Sequence, residues 1–316
     1  MPDDRRRAYR EAIRSAAPGR VVLDIGTGRD ALWAIEAARS GARHAYAVEA
    51  HPETAQRAER AVAAAGFAHR VTVLPGPAGE QTLPVRAEVC VSEIVGNIAS
   101  AEGAIAVLAD ARSRLCTAGC LVIPFRMQTW VAAVDLGPGD PPLAAESLRY
   151  LHAVFAAAGH PFDLRLCLAG PAAEALISSA APVESAVFDH SRPAPPAGEH
   201  TVADLRIDVS GARMTGLLLW ARVAAAATGR EIDALTGGGR GWAPVYVPLD
   251  PGPVPVGQGA RIRVAFTRAT SDDGVHPDYE VTVDDRTPWR STHHGWAFRA
   301  TALHRSLFPE TGPASG

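Results

Sequence analysis

Lysine is absent from this 316-residue chain, and all 31 basic residues are arginine. Against 34 acidic residues they leave a net charge of -3. The basic excess that marks a nucleic-acid-binding protein is therefore missing, and no nucleic-acid partner is expected. We read the missing lysine, with the abundant alanine, as GC-rich coding bias rather than as chemistry. Cysteine is scarce: Cys90, Cys116, Cys120 and Cys167 form no CxxC pair and no metal-binding spacing. That excludes a disulfide scaffold or zinc ribbon and predicts a reduced, cytoplasmic setting with no metal. Cys90 lies in an apolar run and reads as a core filler. No apolar run reaches the roughly 18 to 20 residues that span a bilayer. The opening segment MPDDRRRAYREAIRSAA is charged and carries no apolar signal core, so neither a secretion leader nor a membrane partner is expected. What is present is a 47% hydrophobic composition, ample for a globular core, on a chain long enough for two ordinary domains.

The first 125 or so residues alternate strand and helix patterns. Helices are predicted over Asp4–Ala17, Asp30–Ser40, Pro52–Ala65 and Ala104–Leu115, and strands over Val21–Ile25, His44–Glu49, Val71–Leu74, Glu88–Val91 and from Cys120. In the first helix Ala8, Tyr9, Ala12, Ile13 and Ala16 share one face. This rhythm predicts an α/β, Rossmann-like doubly wound parallel sheet. After Pro124 the pattern changes to strand-like runs punctuated by Pro and Gly: Thr129–Val134, Asp204–Val209, Gly216–Val223, Val245–Val247, Arg261–Phe266 and Tyr279–Val283. They predict an antiparallel β-barrel-like or sandwich domain, interrupted by a helix over Leu143–Ala158. Residues 182–199 read as a Pro-rich loop, and the tail from Thr311 as frayed. The expected domains are 1–125 and 126–316.

The segment VVLDIGTGRDAL runs from a strand through a Gly-x-Gly turn into a helix. Gly26 and Gly28 allow the backbone to approach a ligand closely, and the helix N-terminus offers free N–H groups. Glu49 ends the next strand, where an acid commonly accepts hydrogen bonds from ribose hydroxyls. The pattern also fits a dinucleotide site, or a tight turn with no ligand. Asp24, two residues before Gly26, leans toward S-adenosylmethionine: a carboxylate there is awkward for a pyrophosphate and suits an amino group.

The segment SEIVGNIASAE follows a buried strand and places Glu93 and Glu102 on one short loop at the strand's carboxyl end. Ligand sites in open α/β sheets gather there. Converging carboxylates are costly without a cation between them. A guanidinium, planar and permanently charged, suits that place. The alternative is a pair of surface carboxylates.

Together these segments resemble the protein arginine methyltransferase family. The nine-residue separation of Glu93 and Glu102 matches the family's double-glutamate loop, the most specific of the likenesses. VLDIGTG is similar to its first cofactor motif, carrying Asp24, Gly26, Thr27 and Gly28, and YAVEA to its ribose motif, carrying Glu49. DDRRRAYREAI resembles its D-x-x-R helix, which implies Arg7 as the partner of the cofactor's carboxylate. GEQTLP resembles the adenine-side segment, with Glu80 the best candidate. LVIPFR and the TWVAAV that follows resemble the passage into the barrel. GGGRGWAPVYV resembles the second substrate motif, carrying Trp242. The chain departs from the family in four places. We expect no counterpart of the tyrosine-bearing helix before D-x-x-R, while Gly241 stands in place of a histidine, Ala104 in place of a methionine, and Asp30 in place of the third glycine.

The resemblance implies S-adenosylmethionine as cofactor and Glu93 and Glu102 as the catalytic, guanidinium-binding pair. The altered second motif leads us to expect free L-arginine, or a close small guanidine, as acceptor. The setting would be bacterial specialised metabolism, such as antibiotic biosynthesis of the streptozotocin type. Arginine in a peptide is the alternative, and a non-catalytic cofactor-binding scaffold a third reading. The family's head-to-tail dimers imply a homodimer, with residues 150–185 as the arm.

Overall fold

The computed structural model describes residues 4–94, 96–99, 103–138, 166–169, 172–188, 200–229, 231–236, 242–249, 253–268, 277–286 and 289–291. Glu102, the helix expected over Leu143–Ala158, the first part of the expected arm, Gly241 and the tail lie outside the described residues.

The first half follows the order α1 (Asp4–Ala16), β1 (Val21–Ile25), α2 (Leu32–Arg39), β2 (His44–Glu49), α3 (Pro52–Ala64), β3 (Val71–Pro75), β4 (Ala87–Ser92), α4 (Ala104–Arg114) and β5 (Cys116–Ile123). The five strands form one parallel sheet in the order β3-β2-β1-β4-β5. β1 is central, and all five of its residues are buried, as a strand covered on both faces requires. Helix α1 turns Tyr9, Ala12, Ile13 and Ala16 inward, on the stripe the 3.6-residue period predicts. Its outer arginines are not idle: Arg10 and Arg14 reach Glu36 on α2 at 3.3 and 2.8 Å, pairing a carboxylate that is otherwise buried. The chain changes strand order between β1 and β4, so a crevice opens beyond their carboxyl ends.

Among the described residues every strand pair of the second half is antiparallel. A six-stranded sheet contains β6 (Arg126–Val134), β7 (Leu166–Cys167), β8 (Ala181–Val187), β11 (Gly216–Ala224), β12 (Glu231–Asp233) and β13 (Val245–Pro248). A four-stranded sheet contains β9 (His200–Arg206), β15 (Arg261–Arg268), β16 (Pro277–Val283) and β17 (Trp289–Ser291). The short strands β10 (Ala212–Met214) and β14 (Val254–Val256) pair apart. The expected α/β sheet followed by antiparallel sheets is thus the observed architecture, with no closed barrel among the described residues. β11 shows how the halves join. Leu217 and Leu219 enter a core shared with Val264, Phe266 and Val281 of the four-stranded sheet. Leu218 and Trp220, on the other face, join the core of the parallel half. Each fully buried side chain of this size contributes about 1.5–3 kcal/mol, so β11 is stabilised from both sides.

Three local expectations need correction. Helix α2 starts at Leu32 rather than Asp30, because Ala31 takes a left-handed conformation at φ 44°, outside the helical region, and serves as the N-cap. β5 starts at Cys116, four residues before the apolar run. Residues 182–187, read as the start of a Pro-rich loop, belong to the edge strand β8 against β6. An edge strand tolerates Pro182, which sits beside a register shift, while Val183, Glu184 and Ala186 are buried.

Candidate functional site

The turn after β1 is shaped by two glycines with φ of +72° and +66° at Gly26 and Gly28. A Cβ at Gly26 would collide with Cγ2 of Ile94, so this position needs glycine for space as well as for backbone freedom. Asp24, on β1, is fully buried beneath the turn. Its Oδ2 accepts hydrogen bonds from Thr27 Oγ1 at 2.6 Å and the Ala34 N–H at 3.1 Å. Thr27 and Asp24 therefore tie the turn to the first turn of α2. Its Oδ1 is buried without a hydrogen-bond partner among the described residues. Burial pushes the Asp24 carboxyl up to about 7, the two hydrogen bonds oppose this, and the nearby Glu93 and Glu49 carboxylates add to the rise.

Glu49, at the end of β2, is also buried. Its Oε2 accepts the Gly28 N–H at 3.0 Å and its Oε1 the His51 N–H at 3.1 Å, so the carboxylate holds the glycine turn in place. A cavity of about 600 Å³ opens beside these groups, lined by Gly26, Glu49, His51, Ala78, Gly79 and Ile94 among others. That volume suits a small-molecule ligand. Glu80 closes the short 3-10 turn Ala78–Glu80 and is exposed. Its neighbours Ala78 and Gly79 line the cavity, and Glu80 does not.

Glu93 follows β4 directly. Its Oε2 accepts the indole N–H of Trp33 at 2.7 Å, and its Oε1 meets Arg5 Nε at 2.9 Å. The Arg5 guanidinium also lies over the ring of Trp242, 4.9 Å from the centroid. That distance is within the range of a cation–π contact. Trp242 is buried and comes from the second half of the chain, just before β13. Beneath this group Tyr9 stacks on Trp33 with ring centroids 5.2 Å apart, and its hydroxyl donates to the Ser92 carbonyl at 3.3 Å. Burial pushes the Tyr9 hydroxyl up, and the Glu93 carboxylate adds to the effect.

The structure brings Asp24, Thr27, Gly28 and Glu49 together at the carboxyl ends of β1 and β2, with Glu93 at the adjacent end of β4. It sets Arg7 apart. Arg7 pairs with Asp4 at 2.7 Å and faces a groove of about 340 Å³ between α1 and the second half, with Glu231 and Asp233 on its far wall. The arginine at the site is Arg5. Its signal was in the helical period: Arg5 lies four residues before Tyr9 and extends the buried stripe, whereas Arg7 is two residues off it.

The loop that carries Glu93 is anchored in both halves. Ile98 is buried in the core of the second half. The Ala99 N–H donates to Thr129 Oγ1 at 2.9 Å, and that hydroxyl donates to Glu184 Oε2 at 2.7 Å. Asn97 Nδ2 lies 2.9 Å from Cys167 Sγ. Among the described residues no His, Cys, Asp or Glu cluster is arranged to hold a metal ion, and no helix is long and apolar enough to cross a membrane.

No protein-family model matches the chain. Curated proteins do. The chain is 38% identical over 112 residues to a probable histone-arginine methyltransferase CARM1 of Oryza sativa subsp. indica, a match covering 35% of this chain and 21% of that protein. It is 33% identical over 140 residues to a probable protein arginine N-methyltransferase 6 of Arabidopsis thaliana, covering 43% of this chain and 32% of that protein. The matches thus span a third or less of these relatives' own length. Solved structures are similar over nearly the whole chain. Arabidopsis thaliana protein arginine methyltransferase 10 superposes with a TM-score of 0.70 at 18% identity, over 92% of this chain and 93% of that one. A Trypanosoma brucei PRMT1 enzyme-prozyme heterotetrameric complex with AdoHcy gives 0.71 at 18% identity, over 92% and 96%. The fold is that of these methyltransferases.

Proposed function

We propose that this chain is an S-adenosylmethionine-dependent N-methyltransferase acting on a guanidino group. The observation that carries this reading is the placement of Glu93. A carboxylate stands at the carboxyl end of β4, beside a glycine turn and a ligand-sized cavity, and it already faces a guanidinium, that of Arg5. The match to arginine methyltransferases over 35% to 43% of the chain supports it.

The residues at the turn fit the cofactor. Glu49 is assigned to the ribose hydroxyls, and Oδ1 of Asp24, unpartnered among the described residues, suits an amino group, directly or through water. Arg5 replaces Arg7 in our assignment as the cation that meets a carboxylate. Gly79, through its backbone, replaces Glu80 on the adenine side. When bound, the cofactor supplies an electrophilic methyl group. The protein has to orient the acceptor and raise the electron density on one nitrogen. Glu93 and Glu102 together accept N–H bonds from the guanidinium and draw positive charge toward the nitrogens they touch, leaving lone-pair character on the remaining one. Glu102 is assigned the second contact. Alignment and electrostatic positioning are the main contributions expected of such a site.

For the acceptor we favour free L-arginine or a small guanidine in bacterial specialised metabolism, in a cytoplasmic homodimer. In the groove beside α1, Asp4, Glu231 and Asp233 each pair with an arginine of the chain, at 2.7, 2.9 and 2.8 Å. These pairings weaken the pull of those three acids on a cationic peptide, while Glu11 also lines the groove. The relatives' names favour arginine in a protein as the second reading. Offering free L-arginine and an arginine-glycine peptide in equal amounts separates the two. Methylation of the free amino acid supports the first, and methylation confined to the peptide overturns it.

A further inference from the structure

We propose that Trp33 is a positioning residue for Glu93: its indole N–H fixes Oε2, so that Oε1 alone is turned toward the arriving cation. This rests on the reading of Glu93 as the acceptor-binding carboxylate. Trp33 reads in the sequence as one more apolar residue of α2, and none of the motifs points to it. In the structure it is 2% exposed and lies one residue inside the helix that the glycine turn launches. Its N–H to Oε2 distance of 2.7 Å is that of a charge-assisted hydrogen bond. The ring has little freedom to swing away, because it stacks on Tyr9 at an interplanar angle of 24°. Tyr9 in turn is fully buried and bonded to the carbonyl of Ser92, the residue before Glu93. The indole and the backbone of Glu93 are thus fixed to the same tyrosine.

The two carboxylate oxygens are therefore not equivalent. Oε2 is held by a rigid, buried ring. Oε1 is held by Arg5, a long side chain at the start of α1, which another cation can displace at that oxygen. Trp33 also sits ten residues or fewer from every residue of the glycine turn, on the helix that Asp24 ties down through Ala34. The cofactor turn and the acceptor carboxylate thereby share one rigid connection. A carboxylate left free to rotate would present its oxygens to a planar guanidinium in many orientations, and in-line attack needs one.

The test combines a spectroscopic and a kinetic arm. The chain has six tryptophans, so its indole N–H signals are few enough to resolve by NMR on ¹⁵N-labelled full-length protein. Trp33→Phe, which keeps an aromatic ring for Tyr9, identifies the Trp33 signal by its loss. Glu93→Gln should then move that signal upfield while the other indoles stay in place. In the methyl-transfer assay Trp33→Phe should lower kcat about 10- to 100-fold and leave the affinity for S-adenosylhomocysteine within about threefold. In the double variant the Trp33→Phe loss should vanish, because the carboxylate it positions is gone. An unmoved indole signal, or losses that multiply in the double variant, overturns the inference while the methyltransferase reading stands. A wild-type protein that methylates neither arginine nor an arginine peptide overturns that reading, and the positioning role with it.

Discussion

The parallel half and the antiparallel half contribute to the site in different ways. The parallel half supplies its charged groups: Asp24, Glu49 and Glu93 all stand at the carboxyl edge of one sheet, and Arg5 reaches Glu93 from α1. The antiparallel half supplies a wall and an anchor: the ring of Trp242 above Arg5, and the Thr129 hydroxyl that holds Ala99. Chemistry concentrates where strand ends converge on a switch in strand order. The second half fixes how far the glutamate loop can move. If this division is right, variants in the first half should change chemistry or ligand affinity, and variants in the second should act through stability and loop position.

The largest effect should come from Glu93→Gln. Methyl transfer should fall by about a thousandfold or more, in the range expected for loss of a key electrostatic contact. S-adenosylhomocysteine affinity by calorimetry should stay within about threefold. Equal loss of both would place Glu93 in the cofactor site and erase the distinction between the two carboxylate roles.

Next is Glu49→Ala, which should weaken cofactor binding about 10- to 100-fold, as loss of charged hydrogen bonds does. It should also loosen the turn, because the Gly28 and His51 N–H groups lose their acceptor.

A third prediction concerns pH. Asp24 holds its proton up to about pH 7 in the folded chain, against 3.8 for the ordinary group. Between these values the folded state binds more proton than the unfolded state. Asp24's contribution to stability is therefore present below about pH 4, declines as pH rises to about 7, and is flat above that. A cationic amino group beside Asp24 would expel the proton. Cofactor affinity should thus rise between pH 6 and 8, by at most about tenfold per unit, and Asp24→Asn should remove that slope.

The smallest effect should be that of Thr129→Val. It should cost about 1–3 kcal/mol of stability, read as a lower Tm, and leave cofactor affinity intact. A loss of cofactor binding instead would show that the second half does more than anchor the loop.

Legibility in the sequence follows the same division. Strands β1 and β2 and helix α3 match their predicted spans within a residue, because buried parallel strands, amphipathic helices and closing glycines each leave a local signature. The start of α2 does not, since an alanine in the left-handed region has no sequence signal. Strand β8 does not either, because Pro182 argues for a loop and only pairing at a sheet edge makes it a strand. Motif spacing singled out Asp24, Gly26, Gly28, Glu49 and Glu93, which the structure gathers at adjacent strand ends. Arg5 was hidden among five arginines of one helix and is distinguishable only by its register with Tyr9. Trp33 and Thr129 act through contacts about 60 and 30 residues away in sequence, which no local pattern encodes.

The most direct test of the account is to incubate the purified chain with methyl-labelled S-adenosylmethionine and a mixture of free L-arginine and arginine-glycine peptide, and to locate the label by fragmentation in a mass spectrometer. The account predicts one methyl group on a guanidino nitrogen, with none when Glu93 is replaced by Gln. Calorimetric binding of S-adenosylhomocysteine with no guanidino-methyl product would contradict it.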